Sequence, residues 1–382
     1  MAVSRTRTRT FGEQERGEVK VSLPNQPTYI AGYGIRTAPL IRNVCQDVVG
    51  SPKTDNVLLI EKESLNMQSL NGVANISGGS RTYSNVGPSP CRAYNNAVLP
   101  PAETNNALRI KALARTNPSR PQADLGVSLV ELRELPQLLQ SVGSTMLRKG
   151  AGNYLSIQFG WTPLVSDIID VLDFQKHVGE RVQRLQDLHD GDGLKRRISL
   201  GTQTATGKIE NFAVCSVSGR VFQGNGTATA TRKSWATVRY KPIVGNAPKT
   251  DKQILKDAIK ATYGLTVDAS TAWNLIPWSW MGDWFSNCGD WLEANRNIIG
   301  AQVSSCCVMT HTRQEVRISS VTPPPDHSGI GGGTQYNVKE TKARSVGTMT
   351  LPELDLGPAI SPYRASILGA LGVNAIPKGL LK

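Results

Sequence analysis

An α+β fold is predicted by three features of this 382-residue chain. Apolar residues recur at three- and four-residue steps over 124–146 and again over 163–189, the spacing of one face of a helix. Over 198–244 and 301–350 the pattern changes to alternation, the period of a half-buried strand. The two kinds of segment interleave along the chain. Either the layers mix, or two bodies are each assembled from separated stretches. The helical stretches are 118–197, 250–300 and 355–382; the β-rich stretches are 1–117, 198–249 and 301–354.

Residues 1–20 form an arm in which Arg5, Arg7 and Arg9 alternate with Thr6, Thr8 and Thr10. In a strand the guanidinia share one face and the hydroxyls the other; alone, such a segment is expected to be disordered. Residues 20–117 are rich in Gly, Pro, Asn and Ser and read as irregular β structure with long loops, broken by short runs such as 57–63. The first helix carries Leu125, Leu129, Leu132, Leu135, Leu139, Val142 and Met146, with a bend expected at Pro136. A second, opened by Thr162 and Pro163, carries Leu164, Ile168, Val171, Val178, Val182 and Leu185. It stops at Asp190-Gly-Asp-Gly, and the pair forms an antiparallel hairpin.

Hairpins follow over 198–244, with Gly224-Asn225-Gly226 as a turn signal. Helix returns at Lys249–Lys260. Next, Trp273, Trp278, Trp280, Trp284 and Trp291 fall within nineteen residues. One core helix starting at Pro277 would place Ile276, Trp280, Trp284 and Trp291 in a single stripe. Residues 301–350 alternate again, interrupted at 323–326 and 329–333, and a short helix follows Pro362.

The formal net charge is +13 and the pI about 9.6. Such an excess points to a polyanionic partner, nucleic acid before anionic membrane. No run of 18 apolar residues predicts a membrane span, and the N-terminal residues lack the apolar core of a signal peptide. Cys45, Cys91, Cys215, Cys288, Cys306 and Cys307 show no CxxC spacing, which fits reduced thiols in a protein made in a cytoplasm. His177, His189, His311 and His327 are scattered without metal-ligand spacing, and no metal or cofactor is expected. The stretch 201–209 has five residues between its glycines and Ile209 where a phosphate loop needs Ser or Thr. Asp283 and Asp290 could form a carboxylate pair, although capping or partner pairing suits them better.

Cationic residues are better organised. Lys252, Lys256 and Lys260 recur every four residues on one helix face, with Ile254, Leu255, Ala258 and Ile259 on the apolar side. Like charges at this spacing oppose the helix by a few tenths of a kcal/mol per pair, so something must compensate. Lys249 precedes the stripe. Arg181 and Arg184 share a helix face, and Lys195, Arg196 and Arg197 lie beyond that helix's end. Arg148 and Lys149 close the first long helix, where they also suit its dipole. These eleven residues are the candidate phosphate contacts.

Four segments, DLGVSLVELRE (124–134), LSIQFGWTPLVSDI (155–168), NLIPWSWMGDWFSNCGDWLE (274–293) and SPYRASILGALG (361–372), together resemble the maturation (A) proteins of the levivirus group of single-stranded RNA bacteriophages. The element from Gln158 to Ile168 is the most specific. The resemblance implies an elongated two-part protein, a helical bundle plus an extended curved antiparallel sheet. It implies a virion component, present once per particle in place of part of the coat shell. The helical body would grip structured genomic RNA near its 3′ end. The β body would attach the particle to a bacterial pilus, and the protein would enter with the RNA. In one branch of the group the protein also blocks cell-wall synthesis; no residue here points to that activity.

Two competing functions are distinguishable. An RNA-processing enzyme would use Asp283 and Asp290 as catalytic carboxylates. A pure adhesin would bind no nucleic acid.

Overall fold

The computed structural model describes residues 3–49, 55–91, 97–121, 174–189, 193–217, 219–243, 250–263, 268–276, 279, 283–284, 286–353 and 362–375. It divides into two compact units. Unit 1 comprises Met1–Glu103, Ser199–Ala236 and Cys307–Val346; unit 2 comprises Thr104–Ile198, Thr237–Cys306 and Gly347–Lys382. The first expected helix (124–146), its Pro136 bend, the Thr162–Pro163 opening and the hairpin they would form lie outside the described residues. The class is α+β, with strands exceeding helix.

The strands are β1 (Val3–Ser22), β2 (Tyr29–Val49), β3 (Leu58–Met67), β4 (Leu70–Ile76), β5 (Gly79–Val86), β6 (Leu194–Val217), β7 (Arg220–Pro242), β8 (Ala301–Thr322), β9 (Ile330–Gly331) and β10 (Gln335–Val346). They form one sheet in the order β6-β7-β8-β10-β3-β2-β1-β5-β4-β9. The registered pairs are antiparallel.

The basic arm is not a disordered tail. Its alternating Arg and β-branched Thr suit a pleat, and β2 supplies the partner, paired from Val3↔Val49 to Val21↔Tyr29 with register shifts between Phe11 and Glu13 and between Val19 and Lys20. Arg5 donates through Nε and Nη2 to the Asp47 carboxylate at 3.0 and 2.7 Å. That bidentate geometry ties the first row of the ladder.

Gly224 and Gly226 also depart from expectation. They lie inside β7 rather than at a turn. A Cβ on Gly224 would meet Val214 Cγ2 and Ile318 Cγ2 at 2.6 and 2.7 Å, and one on Gly226 would collide with the Arg317 carbonyl. Glycine is needed here for close packing.

Alternation places one face of this unit's strands in a core that includes Val19, Leu65, Met67, Tyr83, Phe222, Val316 and Ile318. At its centre the rings of Tyr83, Phe222 and His327 meet edge to face, with centroids 5.6–6.1 Å apart. His327 belongs to a 3-10 turn, Pro325–His327, and is wholly buried. Its Nδ1 lies 2.9 Å from Asp326, which also pairs with Arg220 at 2.7 Å.

The helices belong to unit 2: α1 (Asn105–Thr116), α2 (Phe174–His189), α3 (Asp251–Tyr263), α4 (Ala269–Leu275), α5 (Cys288–Asn295) and α6 (Pro362–Ala375). Helix α1 replaces irregular β structure expected there. Thr104 caps it, accepting the Ala107 N–H at 3.0 Å, and Leu108, Ile110, Ala112 and Leu113 are buried. The stop after α2 at His189 and the helix after Pro362 match the sequence reading.

The single tryptophan helix does not run through to Trp291: Asp283 and Trp284 lie in a turn, and α5 starts anew at Cys288. Helix α4 ends before Pro277, with Ile276 extended at φ −72°, ψ 121°. A residue preceding proline is sterically pushed out of the helical region. Ile276 is 52 % exposed, and Trp273, Trp284 and Trp291 are only half-buried. Trp278 and Trp280 lie outside the described residues. The indole N–H of Trp291 donates to the Thr350 carbonyl at 2.9 Å, and Arg364 lies 5.5 Å over the Trp284 ring.

Replacing Phe222 by Ala removes the middle ring of the unit 1 core. It should cost about 3–5 kcal/mol, read as a lower urea midpoint for the β-sheet signal.

Candidate nucleic-acid interface

Helices α1, α2 and α5 of unit 2 meet at the segment Asn117–Arg120, of which Asn117, Pro118 and Ser119 are buried and Arg120 is exposed. The Asn117 amide donates to the carbonyls of Glu293, Ala294 and Arg296 at 2.8–3.2 Å. Glu293 and Ala294 lie in the last turn of α5 and Arg296 is its C-cap, where carbonyls lack full helical partners; the Glu293 carbonyl also accepts the Arg296 N–H at 3.2 Å. Ser119, fully buried, accepts the N–H groups of Ile298 and Ile299 through its hydroxyl at 2.9 and 3.3 Å. Arg181 of α2 donates to the Pro118 and Arg120 carbonyls. One short segment thus joins α1, α2 and α5.

A second buried arginine completes the framework. The Arg296 side chain is 1 % exposed and pairs with Asp268 at 2.6 Å and Glu293 at 3.5 Å. It also donates to Thr271 Oγ1 at 3.1 Å, while Ser270 donates to Glu293 at 2.7 Å. These contacts fix the start of α4 against α5.

Helix α3 carries the lysine stripe. Its capping box is half made: the Thr250 N–H donates to the Gln253 side chain at 2.9 Å. Ile254, Ala258 and Ala261 are buried, and α3 packs against α2. These contacts offset the repulsion between lysines. Lys252, Lys256 and Lys260 are exposed on the other side. Leu255 is not part of the apolar face but 46 % exposed, because it lies about 100° around the helix from Ile254.

The other candidates separate by environment. Arg181 is 2 % exposed. Its guanidinium is spent on carbonyls of its own unit, so it must be corrected from a surface contact to a structural one. Burial, ahead of the nearby Arg184 and Arg196, brings it down to about 10, and it stays charged. Arg184 is half-exposed and pairs with Glu180 at 2.9 Å one turn away. Lys195, Arg196 and Arg197 lie beyond the end of α2, as expected, on the first residues of β6. Alternation exposes Lys195 and Arg197, while Arg196 turns to the other face and is half-buried. Arg196 is lowered by burial first and then by Arg184. The structure therefore gathers Arg181, Arg184 and Arg196. Lys249, Arg148 and Lys149 lie outside the described residues.

The aspartates do different things. Asp283 accepts the Gly289 N–H at 2.9 Å and the Trp273 indole N–H at 3.3 Å. It holds the first turn of α5 and ties it to Trp273 of α4. Asp290, in the first turn of α5, is raised by burial, an effect opposed by Arg115, Lys111 and Arg120. Those three cations, on and just after α1, were missed in the sequence. The signal was present: Thr104 as a cap, followed by the helix-forming run LRIKALAR.

Among the described residues, no group of three His, Cys, Asp or Glu side chains could hold a metal ion, and no helix is long and apolar enough to cross a membrane.

Comparison with known proteins adds a family to this geometry. Over 206 residues the chain is 26 % identical to Maturation protein A2 of Qbeta virus (strain MX1). The alignment covers 52 % of this chain and 45 % of that protein, so it spans less than half of that relative's length. Residues 103–351, well over half of the chain, match the family described as phage maturation protein. That stretch contains the Asn117–Arg120 segment, α3 and the α4–α5 framework. The chain belongs to the phage maturation protein family.

Proposed function

We propose that this protein is a virion component that holds structured genomic RNA with unit 2 and attaches the particle to a bacterial pilus with unit 1. On this reading it sits once in the coat shell, contacts coat protein and leaves with the RNA on entry. It is made in the host cytoplasm and acts by binding rather than by catalysis. One observation carries the RNA assignment. Lys252, Lys256 and Lys260 are exposed together on α3, and α3 packs against α2, the helix that carries Arg184. Lysine ammonium groups on flexible stems suit a phosphate backbone more than a base edge. A-form RNA is recognised largely through shape and backbone, which fits such a surface. The family membership supports the virion role. The pilus assignment rests on the resemblance and on the β-rich composition of unit 1.

Reversing Lys252, Lys256 and Lys260 to Glu should weaken capture of the phage transcript in a filter-binding assay. The slope of log affinity against log salt should shrink by about 0.7–0.9 for each phosphate no longer neutralised. Unchanged affinity and slope, with no RNA crosslink between residues 245 and 262, would reduce the stripe to a solvated face.

Arg181→Ala should behave in the opposite way. It leaves buried carbonyls without their charged donor and should cost about 1.5–3 kcal/mol of stability. The folded fraction should keep parental RNA affinity and salt slope, measured beside a thermal melt.

A further inference from the structure

Unit 1 carries a second cationic surface that the helical assignment does not use. In an antiparallel sheet, side chains of register partners stand on the same face. One row runs Arg9, Asn43, Lys62, Glu340, Arg313 across β1, β2, β3, β10 and β8. The next runs Arg7, Cys45, Ile60, Lys342, His311. Alternation sends Leu65, Met67, Val316 and Ile318 to the opposite face, where the core lies. The cationic rows therefore stand on the open side of the sheet. Arg9, Lys62, Arg313 and Lys342 are exposed there.

Lys233 joins them from β7, the neighbour of β8. His311 is held below its ordinary value by burial first, then by Lys342, with Lys233 and Arg313 adding to the effect and Glu340 opposing it. The cations thus converge around one imidazole. The carboxylates on this face are engaged: Asp47 with Arg5 and Arg7, and Glu340 and Glu315 with Arg313. Successive arginines on β1 stand roughly 7 Å apart, and adjacent strands about 4.8 Å apart. That grid is on the scale of neighbouring phosphates in an extended strand.

The same face continues into a recess of about 330 Å³ lined by Asn66, Gln68, Arg317, Thr334 and Tyr336. Arg317 lies 5.9 Å from the centroid of the Tyr336 ring. An aromatic ring, a stacked guanidinium and side-chain amides are what a nucleobase needs for stacking and edge hydrogen bonds. Protein–protein interfaces are depleted of lysine, whereas nucleic-acid interfaces are strongly positive. The lysine-rich strip favours RNA over an acidic protein.

We propose that this open face of unit 1 binds single-stranded RNA, with phosphates along the Arg9–Lys62–Lys342–Lys233 strip and one base in the Tyr336 recess. It concerns a different unit from the α3 stripe, so the two assignments stand or fall separately.

The test uses the full chain and a fluorescein-labelled oligouridylate, read by anisotropy across a salt series. The triple variant Lys62→Glu, Lys233→Glu, Lys342→Glu should bind at least about tenfold more weakly, with a salt slope smaller by about 2. Tyr336→Leu should weaken oligouridylate binding and abolish photocrosslinking to the peptide that holds residue 336. The α3 variant Lys252→Glu, Lys256→Glu, Lys260→Glu should retain oligouridylate binding. Adding the oligonucleotide should raise the His311 midpoint in an NMR titration, because phosphates offset the lysines around it. All altered side chains are on the open face; circular dichroism confirms folding, and Lys62→Gln with Lys342→Gln serves as a milder pair. Parental affinity in the triple variant would overturn the proposal. So would equal competition by polyglutamate without any base crosslink, which would make the face a site for acidic protein.

Discussion

Unit 2 depends on the burial of Asn117 and Ser119. A helix ends with carbonyls that have no partner within the helix, and burying them unsatisfied costs about as much as a lost hydrogen bond each. Asn117 answers three carbonyls around the end of α5 with one amide. Ser119 and Arg181 satisfy the backbone on either side of it. Without these donors, α1, α2 and α5 could not come together without leaving buried polar atoms exposed to an apolar medium.

The same constraint sorts the positive charges by type. Arg181 and Arg296 are the arginines drawn into unit 2, and each uses its planar fork to satisfy several acceptors at once. The lysines of α3 remain outside, where a hydrated ammonium on a flexible stem is least costly to hold. A net charge of +13 therefore overstates the charge available to a ligand. Buried guanidinia belong to the framework, and only the remainder stands at the surface. The aspartates sort in parallel: Asp283 is engaged by the first turn of α5, and Asp290 is half-buried beside Arg115, Lys111 and Arg120.

Local patterns were legible where local physics decides. The lysine stripe on α3, the stop after α2 and the helix after Pro362 follow from periodicity and from breakers within a few residues. The helix start at Pro277 was read from a local rule, but a run of apolar spacing argued for continuity through Trp291 and obscured the turn at Asp283–Trp284 and the new helix start at Cys288. Helix α1 was hidden by the Gly- and Pro-rich sequence around it, although its cap and its helix-forming run were present. The arm at Arg5–Arg9 was illegible for a different reason. Its state is decided by β2, whose Asp47 is 42 residues away from Arg5, and no window of sequence contains both. Arg181 looked like its neighbour Arg184 for the same reason. Only the fold shows that one faces the Pro118 carbonyl and the other solvent.

Register carries information that composition cannot. Lys62, Lys233 and Lys342 come from three widely separated stretches of the sequence, Lys62 between two glutamates and Lys233 beside Arg232. They become a surface only when β3, β10, β8 and β7 lie side by side in one sheet. An alternating strand has only two ways to face, and the core claims one of them. Once Leu65, Val316 and Ile318 are buried, Lys62 and Arg313 must stand together on the far side. The hydrophobic pattern that stabilises unit 1 is thus also what concentrates its charge.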